Sequence, residues 1–399
     1  MSPDLRALAN RGLHAWRTGG LHLFRDFAAL ASGQMIGRVL NFVAFAFLAR
    51  VLDPVGYGAV EYVVGLSVFF AMVVDAGLGP IGVRRVMRHP DELDTLAFQI
   101  PFARLLIAVA GVPAMALFAI AAMKGAAPAA LVWLFALSLL TAPWRQEWLL
   151  QASGRMTEAA IAQVVRAVVF AIAVWTLVRA PRDLMFVGWA EIASVTTMTA
   201  YTLWIQHIRI ARLRVHRSFT GLGRLLREGW GLGLTNLVWA MIQYAPLFLA
   251  GAILSGAPIA WFGAALRLMS SLITFSNLYH FNLYPAVAKA AAEGPEALRR
   301  LMRRSFRVVA WGGIAAALAL TLFAAPATRI IFGPKLVQAA PLLQVLAWTL
   351  PITLLSSHSR WGLVAVSAQT RALWSHVAGL VVLVIVSLLL GLQWGARQG

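Results

Sequence analysis

Long apolar runs recur along this chain from residue 27 to residue 394, each close to the ~20 residues a helix needs to cross a hydrocarbon layer. Eleven can be drawn, at about 27–50, 57–82, 96–122, 127–150, 158–179, 184–207, 229–255, 258–286, 306–326, 338–362 and 372–394. That repetition leaves few folds open. Inside lipid the chain must satisfy its own backbone N–H and C=O groups, so runs of this length become helices. The expected class is all-α: a polytopic transmembrane bundle of about 11–12 spans. No polar stretch is long enough for a sizeable soluble domain. Composition agrees, with 60% hydrophobic residues against roughly 45–50% in soluble domains.

The formal net charge of +19 would point to nucleic acid in a soluble protein. Here the charge sits in short loops between spans, where it sets topology instead, and no nucleic-acid partner is expected. With the N-terminus in the cytoplasm, 21 Lys/Arg fall in cytoplasmic segments and 7 in external ones. The chain then divides into a basic cytoplasmic interfacial segment (1–26), an N-terminal half with spans one to six (27–208), a basic cytoplasmic linker (209–228), and a C-terminal half with spans seven to eleven (229–399). The first segment shows no small-residue cleavage site behind a short apolar core, so no cleaved signal peptide is expected. "GPEALRRLMRRSFRVV" (294–309) places leucines on one helical face and arginines on the other, the pattern of a helix lying on anionic headgroups. A faint internal echo, "FLARVLDPVGYGAVEY" against "FLAGAILSGAPIAWFG", suggests repeated halves.

Six arginines fall inside spans. Arg104, Arg145 and Arg360 lie near expected cytoplasmic ends, where a long side chain reaches the headgroups. Arg166 has acidic partners on offer in Glu147 and Glu191. Arg38 and Arg267 lie deep, and each belongs to a polar stripe: Gln34, Arg38 and Asn41 on span one; Arg267, Ser270, Ser271, Thr274 and Asn277 on span eight. Span seven adds Asn236 and Gln243, and span two adds Glu61 and Asp75. A charge at mid-membrane costs roughly 2.5–3.5 kcal/mol on insertion scales, so such faces must look at protein or water. Spans one, two, seven and eight are therefore expected to line a wet, cationic cavity, with Arg38, Arg267, Gln34, Asn41, Asn236, Gln243, Ser271 and Thr274 as candidate substrate ligands. Asp75 and Glu61 are candidates for proton or cation coupling. For Asp75 the plainer alternative is a structural contact with its own loop or with Arg84.

Absent chemistry narrows the function. There is no cysteine, and no HExxH, GxSxG or phosphate-cradling GxxxxGK[ST] pattern. No catalytic residue, cofactor or metal site is expected. His358 and His376 are read as packing or interfacial residues.

The stretch "FLARVLDPVGYGAVEYVVGLSVFFAMVVDAGLGPIGVRR" (47–85) resembles the polysaccharide biosynthesis, or oligosaccharide flippase, family of the multidrug, oligosaccharidyl-lipid and polysaccharide exporter superfamily. Ala49, Arg50, Leu52, Pro54, Tyr57, Gly58, Asp75, Gly77, Leu78 and Arg84 stand where the family's pattern has them, and Asp53 replaces its usual glycine. "NLYPAVAKAAAEG" and "IFGPKLVQAAPLLQVLAW" also look like it. The resemblance implies two six-helix halves around a central cavity, formed mainly by spans one, two, seven and eight. It implies alternating-access transport of a polyprenyl-pyrophosphate-linked saccharide across the cytoplasmic membrane, alongside other polysaccharide-assembly membrane proteins. A cation-coupled multidrug exporter of the same superfamily is the first alternative; a membrane-embedded glycan polymerase or ligase is the second.

Overall fold

The computed structural model describes residues 20–122, 127–210, 218–254, 256–365 and 369–398. Among these residues there is no β-strand, so the all-α expectation stands. Each of the eleven expected stretches is helical over most of its length. The helices are α1 (Gly20–Val51), α2 (Pro54–Asp75), α3 (Leu78–Arg88), α4 (Leu93–Ala122), α5 (Ala129–Ser138), α6 (Glu147–Ala152), α7 (Met156–Leu177), α8 (Met185–Arg209), α9 (Leu222–Ile253), α10 (Ala257–Glu293), α11 (Pro295–Phe332), α12 (Ala339–Ala347), α13 (Thr349–Ala365) and α14 (Gln369–Gln398). Among the described residues, seven helical stretches are long and apolar enough to cross a membrane.

The chain divides into two compact units. One holds residues up to Val51 together with Val63–Tyr244; the other holds Leu52–Tyr62 and Ala245–Gly399. α2 and α9 each contribute residues to both.

In the first unit α1 packs on α7, and α7 on α8. Small residues permit the first contact: Gly33 faces Ala160, and Gly37 faces Gln163 and Ala167. Close backbone approach of this kind is how helices associate where lipid removes the hydrophobic drive between them. A buried core of Leu78, Ile81, Leu96, Ile100, Trp148 and Leu149, among others, joins α3, α4 and α6. In the second unit α11 packs on α12 and α13, and α10 packs on α11, α12 and α13.

Three expectations are corrected. Span two does not run unbroken to residue 82. Its backbone turns left-handed at Ala76 (φ 46°) and Gly77 (φ 73°), and α3 is a separate amphipathic helix that buries Leu78, Ile81 and Val86. Span four is likewise broken, into α5, a 3-10 stretch Leu139–Trp144 containing Pro143, and α6. Proline removes a backbone donor and clashes with the preceding turn. The amphipathic 294–309 segment is not a separate interfacial helix: α11 is one helix of 38 residues from Pro295 to Phe332. Pro295 suits the first turn, and no glycine or proline falls between it and Val309, so the segment runs straight on into the span. The interfacial segment 1–26 lies outside the described residues up to residue 19, and α1 begins at Gly20. Residues 211–217 of the basic linker also lie outside them.

The break after Asp75 is held by α9. A Cβ on Gly77 would meet the Gly233 nitrogen at 2.6 Å, and one on Gly233 would meet the Ala76 carbonyl oxygen at 2.5 Å. These obstacles are backbone atoms, which cannot swing aside. Beside this seam the Arg85 guanidinium donates to both Glu228 oxygens (3.2 and 2.7 Å). That hydrogen bonding holds the Glu228 carboxyl below its ordinary range. Gln99 donates to the Ser218 and Thr220 carbonyls at 2.9 and 3.0 Å. Gly233→Val should therefore destabilise by about 1–3 kcal/mol through overpacking. Thermal melting of the purified variant checks this; a melting point equal to wild type would mean that the two backbones do not touch.

Candidate functional site

Two charged clusters stand out, one in each unit. In the second unit, α2 begins at Pro54 and places Tyr57 and Glu61 one turn apart on one face. Tyr57 is fully buried and donates its hydroxyl to Glu61 Oε1 at 2.5 Å. Glu61, only 5% exposed, also takes a two-pronged bond from Arg267 on α10: Nε to Oε1 at 2.5 Å and Nη2 to Oε2 at 2.8 Å. Gly263, one turn before Arg267, makes the approach possible, since a Cβ there would lie 2.9 Å from the Glu61 side chain. A planar guanidinium matched to both oxygens of a carboxylate is the strongest form of ion pair. Arg267 thus meets an internal anion.

In the first unit, Arg104 on α4 bonds Asp75 at the end of α2, and its Nη1 donates to the Arg145 carbonyl at 3.2 Å. The Arg104 side chain is 7% exposed. The expectation that it reaches for the headgroups is corrected: a carboxylate at the break in span two holds it inside. Asp75 does not pair with Arg84, which lies 3.8 Å from Glu228 instead. Arg166 pairs with Glu191 at 2.6 Å, one of its two expected partners. The other, Glu147, accepts a bond from Gln163. His358 is buried within hydrogen-bond distance of Ser305 Oγ and the Met302 carbonyl, both 3.2 Å, as a packing residue would be.

A cavity of about 330 Å³ opens beside the Asp75–Arg104 pair. Its polar lining comes from Asp75, Arg104, Arg145, Glu147 and Asn236, and its apolar lining includes Ala71, Met72 and Trp148. The breaks in spans two and four build it. They end helices inside the unit and present the side chains that follow.

Of the residues singled out from the sequence, Gln34 and Arg38 are exposed and Asn41 is half-buried, donating to the Gly37 carbonyl at 3.2 Å. Gln243 is exposed and Asn236 half-buried. Ser271 donates to the Arg267 carbonyl at 2.9 Å. The side chains of Thr274 and Asn277 lie outside the described residues. The structure brings Glu61 and Arg267 together, and puts Asp75 and Asn236 on one cavity. Arg38 belongs to the first unit and Arg267 to the second. Sequence reasoning missed Tyr57 as the third member of the Glu61 cluster, although its i, i+4 spacing to Glu61 carried the signal. It also missed Arg145 and Trp148 as cavity residues, because the break in span four is what exposes them together.

A bundle of apolar helices with ion pairs inside it defines a multi-pass membrane protein. Its fold is that of the MOP superfamily transporters. An inward-facing multidrug resistance MATE family transporter matches with TM-score 0.68 at 15% identity, over 88% of this chain and 84% of that one. The lipid II flippase MurJ, in an inward closed conformation, matches with TM-score 0.68 at 11% identity, over 87% and 78%. A MOP superfamily transporter from Pyrococcus furiosus, described by the reverse polarity of its binding pocket, matches with TM-score 0.58 at 16% identity, over 94% and 95%. A search of curated protein sequences finds no match. The family is settled by sequence: residues 23–291 match the family described as "Polysaccharide biosynthesis protein", and this chain belongs to it. The stretch "IFGPKLVQAAPLLQVLAW" lies beyond the matched residues.

Proposed function

We propose that this protein is a flippase that carries a polyprenyl-pyrophosphate-linked oligosaccharide across the cytoplasmic membrane by alternating access, supplying the assembly of a surface polysaccharide. The observation that carries this reading is the family match over residues 23–291, a stretch that contains both deep arginines. Arginine suits a pyrophosphate because it offers permanent charge and forked donors. In this reading Arg38, on an exposed stripe with Gln34, and Arg267 take the pyrophosphate, and Asn41, Asn236, Gln243, Ser271 and Thr274 take the rest of the head. Glu61 and Asp75 each hold an arginine, and uptake of a proton by either would release it; this is the coupling we assign to them. The division into halves at 27–208 and 229–399, with the N-terminus in the cytoplasm, belongs to the same proposal.

The test is transport of a defined lipid-linked oligosaccharide in proteoliposomes, with reporter fusions fixing the topology. The reading expects outer-leaflet appearance of the lipid in protein-containing vesicles only, and a cytoplasmic reporter at residue 300. No transport of any lipid-linked saccharide would overturn the function. An external reporter would overturn the orientation. A multidrug exporter is the second reading, favoured by the equal TM-scores of the MATE and MurJ matches. Efflux of cationic dyes by the same vesicles, without saccharide transport, would select it.

A further inference from the structure

The cavity in the first unit has unspent hydrogen-bonding groups of both kinds. Among the described residues the Arg145 guanidinium makes no hydrogen bond or ion pair, although Arg145 lines the cavity. The Asn236 amide, also on the lining, makes none either. On the acceptor side, Asp75 gives one oxygen to Arg104 and Glu147 gives one to Gln163, which leaves a second oxygen on each. Two guanidiniums face two carboxylates, so the lining carries no net charge.

That balance selects among ligands. An anion entering the cavity would meet Asp75 and Glu147; a cation would meet Arg104 and Arg145. Neither charge is free of a repulsive neighbour, and desolvating an ion there brings no net compensation. A neutral polyol is matched, because each hydroxyl both donates and accepts. The guanidinium and amide N–H groups donate to its oxygens, and the carboxylates accept hydrogen bonds from its O–H groups. Ala71 and Met72, both half-buried, supply the apolar surface against which the C–H faces of a sugar ring rest. The volume, about 330 Å³, lies at the small end of ligand pockets, which run from about 300 to 1,000 Å³. It fits one sugar residue rather than a chain of them.

We propose that this cavity is a saccharide subsite that holds a single neutral sugar, separate from the arginines assigned to pyrophosphate. The proposal rests on the flippase reading for the source of the sugar, but the binding itself can be measured without transport. The protein in lipid nanodiscs would be titrated with a panel of methyl glycosides (glucoside, galactoside, mannoside and N-acetylglucosaminide). Saturation-transfer NMR detects the binding, and inorganic pyrophosphate and tetramethylammonium serve as competitors. At least one glycoside should bind and be displaced by neither ion. Arg145→Gln and Asn236→Ala should each weaken it by about tenfold or more, the scale of a lost hydrogen bond to a charged or well-placed group. Ala71→Phe, which fills the space and removes no polar group, should abolish binding. Melting points close to wild type establish that the variants fold; Arg145→Gln breaks no hydrogen bond but leaves the Glu147 and Asp75 charges less compensated, so Asn236→Ala and Ala71→Phe, which remove no charge, carry the test if it unfolds.

Three results would overturn the proposal. Binding of none of the four glycosides would mean a cavity filled only by water. Displacement of the sugar by pyrophosphate, lost with Arg145→Gln, would mean an anion site. Wild-type affinity in both Arg145→Gln and Ala71→Phe would put the sugar elsewhere. The flippase reading fails separately: a protein that binds the glycoside but moves no lipid-linked saccharide keeps this subsite and loses that function.

Discussion

Arg104→Met should lower stability by about 1–3 kcal/mol, the cost of leaving hydrogen-bonding groups without their partner, since the Asp75 side chain left behind is one third exposed. The Arg104 side chain is 7% exposed, and it ties the end of α2 to the carbonyl of Arg145 beyond the break in span four. Its removal leaves Asp75 and Glu147 facing the single Arg145 guanidinium across the cavity. Methionine keeps most of the volume, so the loss is electrostatic rather than a packing void. The companion variant decides the cause. Asp75→Asn combined with Arg104→Met removes both charges and should recover most of the loss, since replacing a buried pair by neutral groups is often close to neutral. Thermal melting in detergent and the yield of folded protein report both. If the single variant melts with wild type, the pair does not form. If the double variant is no better than the single, Arg104 acts through packing.

Arg267→Ala should cut transport of the lipid-linked saccharide by at least about a hundredfold, the equivalent of two charged hydrogen bonds. It should also destabilise the protein, because Glu61 is 5% exposed and keeps only Tyr57 as a hydrogen-bond donor among the contacts described. These two losses can be separated. Glu61→Gln with Arg267→Ala removes the orphaned charge, so folding should return while transport stays lost. Arg267→Lys should restore transport only in part, since lysine keeps the charge without the fork. Arg38→Ala should abolish transport, measured in the same vesicles. If the Glu61→Gln, Arg267→Ala protein transports at the wild-type rate, Arg267 serves only to neutralise Glu61 and the pyrophosphate assignment is wrong. Glu61→Gln alone frees Arg267 from its internal anion. It should raise apparent substrate affinity and flatten the pH dependence of transport, measured in the same vesicles.

The class of fold was legible in the residues alone, because lipid leaves a chain with eleven apolar runs almost no alternative to helices. The family was legible at 47–85 for a similar reason. The turn between α1 and α2 and the stop after Asp75 need particular residues at particular places, Gly77 at φ 73° among them. Apolar periodicity also located the polar stripes, and with them Arg38, Arg267, Glu61 and Asp75. Partnerships were a different matter. Hydropathy placed Arg104 near a helix end and read it as reaching for water, whereas a carboxylate from another helix, 29 residues away in sequence, holds it inside. Arg267 looked like an uncompensated cation until α2 and α10 came together and set Glu61 against it, 206 residues away. A charge's depth follows from its own helix, which sequence describes well. Its neutralisation depends on which face of a second helix it meets, and only packing decides that. The same holds for the cavity beside Asp75: its residues come from α2, α4, α9 and the broken fourth span, and Arg145 joins them because the chain near Pro143 leaves the α-helix. Pro143 and the polar Arg145, Gln146 and Glu147 just after it mark that departure in the sequence, but not which side chains from other helices it brings to the cavity.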